Sequence, residues 1–178
     1  MRPKSSAATI VGLVVASLAA GCGGGGNSSQ PPARLHVSSS AFINNSRLAP
    51  KYTCDGAGEE PAVQAGTVPA STSELVLIVS DPDAPGGTFT HLTRFGLKPR
   101  GPGSGSVNNG GTEGRNSAGS TGWTPPCPPK GSGTHHYVWT VYALRDPSNL
   151  KAGASPAEVT AAVKNPLAGG SITALYSR

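Results

Sequence analysis

Aromatic side chains make up only 5% of this 178-residue chain and charged ones 13%, and nowhere do lysines and arginines gather into a block. A nucleic-acid platform needs a basic groove interleaved with aromatics, so that class finds no support despite a formal net charge of +5. The mostly apolar stretch at residues 10–20 is too short for a membrane span, which takes about 20 apolar residues. Cysteine is scarce, three residues with no Cys-x-x-Cys pair, and neighbouring side chains supply no metal-ligand set. Glycine and proline are abundant instead, at 25 and 17 residues. Both weaken helix interiors and suit turns and short strands, so a mostly helical fold is disfavoured. The length allows one domain with a modest core.

Arg2 and Lys4 precede the apolar stretch, and the small residues Leu18-Ala19-Ala20-Gly21 end it before Cys22, so residues 1–21 read as a signal peptide. The last five positions resemble a bacterial lipobox. That resemblance implies cleavage before Cys22 and acylation of its thiol, placing the protein on the extracytoplasmic face of a membrane. Residues 22–33 are too polar and Gly-rich to bury anything and read as a flexible tether, with the folded domain at 34–178. An exported chain meets oxidising conditions, and with Cys22 given to lipid, Cys54 and Cys127 are expected to pair rather than remain two separate thiols.

Residues 75–79 are a continuous branched apolar run stopped by Asp81-Pro82, as in a strand covered on both faces. Residues 89–97, 137–144 and 171–176 are further strand candidates, and 35–37 and 41–43 are early ones. One helix is punctuated: Ser155 as cap, Pro156 in first position, Glu158 completing a capping box, and Asn165-Pro166 as the stop near Lys164. The glycine-rich residues 101–122 read as a long loop, either a surface excursion or a lid.

Asp81-Pro82-Asp83-Ala84-Pro85 places two carboxylates where the chain leaves the buried strand, although an Asp-Pro turn is often only structural. His91 lies in the next strand. His135 and Tyr137, two apart on the strongest strand, point the same way, while His136 points to the other face. Imidazole and phenol groups can donate hydrogen bonds, so His91, His135 and Tyr137 together could hold an anionic oxygen. Pro125-Pro126-Cys127-Pro128-Pro129 could form a rigid wall or a plain Pro-rich turn.

The ordered motifs Asp81-Pro82-Asp83-Ala84-Pro85, Gly87-Thr88-Phe89-Thr90-His91, Gly114-Arg115-Asn116, Thr121-Gly122-Trp123, Cys127-Pro128-Pro129-Lys130-Gly131 and His135-His136-Tyr137-Val138-Trp139 resemble the signatures of the phosphatidylethanolamine-binding protein family. The likeness is to its bacterial Raf-kinase-inhibitor-like branch. It implies a mostly β, single-domain antiparallel β-sandwich with a short helix near the C-terminus and an anion-binding pocket at one end. Carried over singly, Asp81 and Asp83 match the acidic pair, Pro85 the proline closing that loop, His91 the adjoining-strand histidine, Pro129 the pocket proline, His135 the second histidine, and Tyr137 the tyrosine beyond it. The Ala84–Pro85 bond is a candidate for the cis form. Glu59-Glu60-Pro61-Ala62-Val63-Gln64 departs from the family's Ser-Pro-Pro-hydrophobic-x-Trp segment, and Leu92 stands where Trp often follows the histidine. Ligand shape and headgroup preference therefore do not carry over.

The expected function is binding of phosphate- or carboxylate-bearing groups, phospholipid headgroups among them. Asp81 and Asp83 would orient the histidines, and affinity would rise as pH falls through about 6.5. No cofactor, metal or nucleic acid is expected. Inhibition of a secreted serine peptidase is the alternative, and hydrolysis a weaker one, since no Ser or Cys stands in a recognisable nucleophile turn.

Overall fold

The computed structural model describes residues 32–99 and 105–178. The expected signal peptide, the acylated Cys22 and the tether up to residue 31 lie outside the described residues. In chain order the strands are β1 Ala33–Arg34, β2 Val37–Ser39, β3 Ser46–Arg47, β4 Val63–Ala65, β5 Glu74–Asp81, β6 Phe89–Leu97, β7 Gly105–Ser106, β8 Thr112–Glu113, β9 His135–Leu144 and, after helix α1 at Pro156–Ala162, β10 Ala168–Tyr176.

The long strands form one sheet in the order β1-β10-β9-β5-β6-β8, with β3 also on β10, and β2-β4-β7 form a second, smaller sheet. Along β10-β9-β5-β6-β8 each adjacent pair is antiparallel, as expected for a sandwich. The sheet is nevertheless mixed, because β1 and β3 each pair parallel to β10. These two-residue contacts carry no apolar alternation, so no sequence pattern announces them.

The apolar run in β5 is buried on both faces. Leu75, Leu77 and Val79 join Val37, Val63 and Trp139 in the core shared by the two sheets. Val76 and Ile78 pack on the other face with Phe95, Leu144, Val159 of α1 and its C-cap Val163. Fully burying a side chain such as Val159 is worth roughly 1.5–3 kcal/mol, more than a seven-residue helix could gain from propensity alone. The capping box forms as expected: the Glu158 N–H donates to Ser155 Oγ at 3.3 Å and the Ser155 N–H donates to Glu158 Oε2 at 2.7 Å. The helix stops at Ala162, two residues earlier than expected.

Other expectations are corrected. Residues 41–43 form no strand; Phe42 is instead a core plug against Trp139, its ring centroid 4.8 Å away, ahead of a turn in which Asn45 takes φ +60°. Leu35 lies between β1 and β2, although its N–H still donates to the Gly169 carbonyl at 2.9 Å. Gly170 permits this approach, because a Cβ there would collide with the Leu35 carbonyl. The stretch read as a loop contains β7 and β8; Glu113 of β8 accepts from Arg94 at 2.7 Å, so an ion pair rather than an apolar period holds it in place. The expected Cys54–Cys127 disulfide is present.

The pairing register also sets polarity. Strand β1 meets β10 at Ala168 and Gly169, which lie opposite Ala143 and Tyr142 of β9, whereas His135 lies at the other end of β9 opposite Tyr176.

Candidate functional site

Strand β5 ends at Asp81, β6 begins at Phe89 and β9 begins at His135, and their registers bring all three to one end of the large sheet. Asp81, His135 and Tyr137 fall on the face that Val79 and Trp139 bury, by simple alternation. His91 arrives differently. Val79 pairs with Leu92 and Ser80 with Thr90, so His91 is the extra residue of a β-bulge. A bulge re-aims the side chain it carries. Here the His91 ring sits against Tyr137, centroids 5.2 Å apart, and against Phe89 at 4.8 Å.

Together with residues 124–129 these strand ends enclose a cavity of about 250 Å³. Its floor is Asp81, His91, His135 and Tyr137, and its walls are mainly Ala84, Pro85, Phe89, Pro125, Pro128 and Pro129. Cys127 also lines it, so the disulfide ties one wall to the turn at Cys54. No Lys or Arg is among the lining residues. Among the described residues no cluster of three or more His, Cys, Asp or Glu is arranged to hold a metal ion.

Each floor residue is held by named partners. Asp81 Oδ1 accepts from the Asp83 N–H at 2.9 Å, and its Oδ2 lies 2.7 Å from His135 Nδ1. Facing a carboxylate, that nitrogen carries the proton and donates it. His135 Nε2 lies 2.9 Å from Ser132 Oγ, and a hydroxyl can either donate to a neutral ring or accept from a charged one. Asp81, His135 and Ser132 thus stand in the order of a hydrolase triad. The single hydroxyl hydrogen of Ser132, however, also has the Pro129 carbonyl at 2.8 Å to receive it, and Ser132 does not line the cavity, so the chain of bonds positions His135 rather than arming a nucleophile.

His91 Nδ1 lies 2.7 Å from the Thr124 carbonyl and therefore donates to it. Burial pushes the His91 imidazole below its ordinary value, opposed by the hydrogen bond to Thr124 and by the charge of Asp81. Burial, and next the Asp81 carboxylate, push the Tyr137 phenol far above its ordinary value. His91 Nε2 is buried with no hydrogen-bond partner in the protein, and the buried Tyr137 hydroxyl feels the Asp81 carboxylate but makes no well-formed hydrogen bond. Buried polar atoms are rarely left so. Two such atoms in one cavity mark it as shaped for something else.

The seven residues expected at the site do not all meet. Asp81, Pro85, His91, Pro129, His135 and Tyr137 line the cavity; Asp83 does not. Its Oδ2 accepts from the backbone N–H of His136 at 2.7 Å and from His136 Nδ1 at 2.8 Å, on the outward face of β9. Those bonds, the side-chain one first, hold the Asp83 carboxyl below the usual carboxylate range. It orients no cavity histidine. The Ala84–Pro85 bond is trans, not cis. Phe89, Thr124 and Ser132 were missed. Phe89 carried a signal, since it lies two residues before His91 in an extended run.

The family profile described as phosphatidylethanolamine-binding protein matches residues 38–177. UPF0098 protein PH1269 of Pyrococcus horikoshii is 40% identical over 149 residues, covering 79% of this chain and 75% of that one. A Mycobacterium tuberculosis protein named "Putative lipoprotein LppC" is 36% identical over 140 residues, 76% of this chain and 68% of that one. Among solved structures, Escherichia coli YbcL, described as a new member of the mammalian family, superimposes with a TM-score of 0.73 at 27% identity, over 82% of this chain and 99% of that one.

Proposed function

This chain belongs to the phosphatidylethanolamine-binding protein family, and from that premise we propose that its cavity binds a small oxyanionic group of the phosphate or carboxylate type. One observation carries the reading. The floor offers two buried polar atoms, on His91 and Tyr137, that only a ligand or water can satisfy. The volume suits a group of a few heavy atoms rather than an acyl chain. Four prolines stiffen the walls, so little ordering is needed on binding.

Titration with inorganic phosphate and with phosphoethanolamine tests this and separates a free anion from a headgroup. Tyr137→Phe is expected to weaken either by about 10- to 150-fold, the loss of one hydrogen bond to a charged group at roughly 1.5–3 kcal/mol. The empty variant should stay within about 1 kcal/mol of the parent, because the hydroxyl it loses makes no well-formed hydrogen bond and interacts only with the Asp81 carboxylate beside it. Absence of saturable binding by the parent, or equal affinity in Tyr137→Phe, counts against the reading.

We further propose that the protein is exported and held by an acylated Cys22. Residues 2–22 support this through their order of charge, apolar stretch and small residues, the Cys54–Cys127 bridge supports an oxidising compartment, and one relative carries a lipoprotein name. Intact-mass analysis of detergent-extracted protein should find Met1–Gly21 removed, an acyl adduct at Cys22 and two hydrogens missing for the bridge. A retained N-terminus with an unmodified Cys22 overturns it.

A further inference from the structure

Both nitrogens of His91 have their roles restricted by geometry. Nδ1 faces the Thr124 carbonyl at 2.7 Å, an acceptor only, so Nδ1 carries hydrogen whatever the charge on the ring. In a neutral ring the second nitrogen, Nε2, is then a bare lone pair, buried and without a protein partner. Beside it the Tyr137 hydroxyl makes no well-formed hydrogen bond, with the Asp81 carboxylate its neighbour, and the two rings meet edge to face at 5.2 Å. The floor therefore presents one acceptor next to one donor.

An oxyanion with no hydrogen of its own fits the phenol but meets the imidazole lone pair head on. No Lys or Arg in the lining relieves that repulsion. Both oxygens of Asp81 are engaged, one by the Asp83 N–H and the other by His135 Nδ1, so Asp81 offers no hydrogen either. An acid that keeps an X–OH beside an X=O matches the pair directly: its hydroxyl donates to His91 Nε2, and Tyr137 donates to its other oxygen.

Resting on the binding function proposed above, we infer that the cavity holds exactly one hydrogen between His91 Nε2 and the ligand, so that it takes oxyacids that carry a proton as they are and must itself take up a proton to hold those that do not. The titratable groups around His91 are consistent with this. Asp81 faces it from β5, Tyr137 and His135 lie on β9, and residues 123–125 contribute none. Burial favours the neutral ring and Asp81 the charged one, with burial the larger influence.

Phosphate and sulfate isolate the effect. Between about pH 7.5 and about pH 8.5 both are tetrahedral and mostly dianionic, but phosphate retains one P–OH and sulfate has no hydrogen. The measurement is titration calorimetry of the full-length protein in two buffers of different ionisation enthalpy, which counts protons. Sulfate is expected to take up about one proton per site and to bind about tenfold more weakly for each unit of pH increase. Phosphate should take up close to none, hold its affinity within about twofold, and bind at least about tenfold more tightly than sulfate at about pH 8. In His91→Gln, shown folded by circular dichroism, sulfate should lose its pH dependence.

Equal and flat profiles for the two anions in the parent overturn this inference while leaving anion binding intact. So does a steep sulfate profile that survives in His91→Gln. If neither anion saturates the parent protein, the binding function itself is overturned.

Discussion

Asp81→Ala should destabilise the protein by about 3–5 kcal/mol and abolish anion binding. The Asp81 side chain is buried, and it is the joint partner of the His135 ring and the Asp83 N–H. Removing Asp81 leaves two buried donors, His135 Nδ1 and the Asp83 N–H, without a partner, and each stranded polar group costs about 1–3 kcal/mol. The second of these is a backbone donor at the loop that carries Pro85. Asp81→Asn separates charge from geometry. Its amide oxygen can still accept from the Asp83 N–H, while its NH₂ faces His135 Nδ1 and forces that nitrogen to become an acceptor. The asparagine variant should therefore recover most of the stability lost in the alanine variant, with His135 held in the other tautomer. Urea denaturation of both variants, with a phosphate titration of each, decides the matter. Equal stability of the parent and Asp81→Ala would contradict the role assigned to Asp81.

Loss of the Cys54–Cys127 bridge should be nearly as severe. The two cysteines are 73 residues apart, and releasing a loop of that size adds conformational freedom to the unfolded chain worth about 4 kcal/mol in the loop-entropy account. A second effect is local. Cys127 lies within the proline-rich cavity wall, and with the bond gone that wall keeps at Cys54 only a backbone tie, the Cys54 N–H to the Pro126 carbonyl at 3.0 Å. Cys54→Ser/Cys127→Ser should therefore lower both the melting temperature and the affinity for phosphate, the latter even well below the melting transition. A variant that melts early but binds phosphate like the parent would confine the bridge to stability.

Where side-chain periodicity decided the structure, it could be read in advance. The run at 75–79 became a strand buried on both faces, the Ser155–Glu158 box started the helix, and the two-residue spacing of His135 and Tyr137 put both on one floor. Four features escape a sequence reading because nothing local encodes them. His91 would point away from Tyr137 in an unbroken ladder, and only the extra residue against β5 turns it inward. Gly96, with φ +69°, accompanies a second register shift in the same strand. Asp83 is expected in the cavity as the second of the family's acidic pair, yet it lies in the turn after β5, where strand alternation has ended, and its carboxylate binds His136 instead. Arg94, a cation in the middle of β6, lies buried because Glu60 at 2.8 Å and Glu113 at 2.7 Å pair with it, partners that sequence spacing does not reveal.

The opposed placement of β1 and the cavity has a consequence for how the molecule meets its surroundings. The polypeptide joins the fold beside Ala168, and the binding floor begins at His135, about eight residues along β9 or roughly 25 Å away. An attachment through the leading segment, as proposed above for Cys22, would therefore reach the domain at the end of the sheet remote from the cavity mouth.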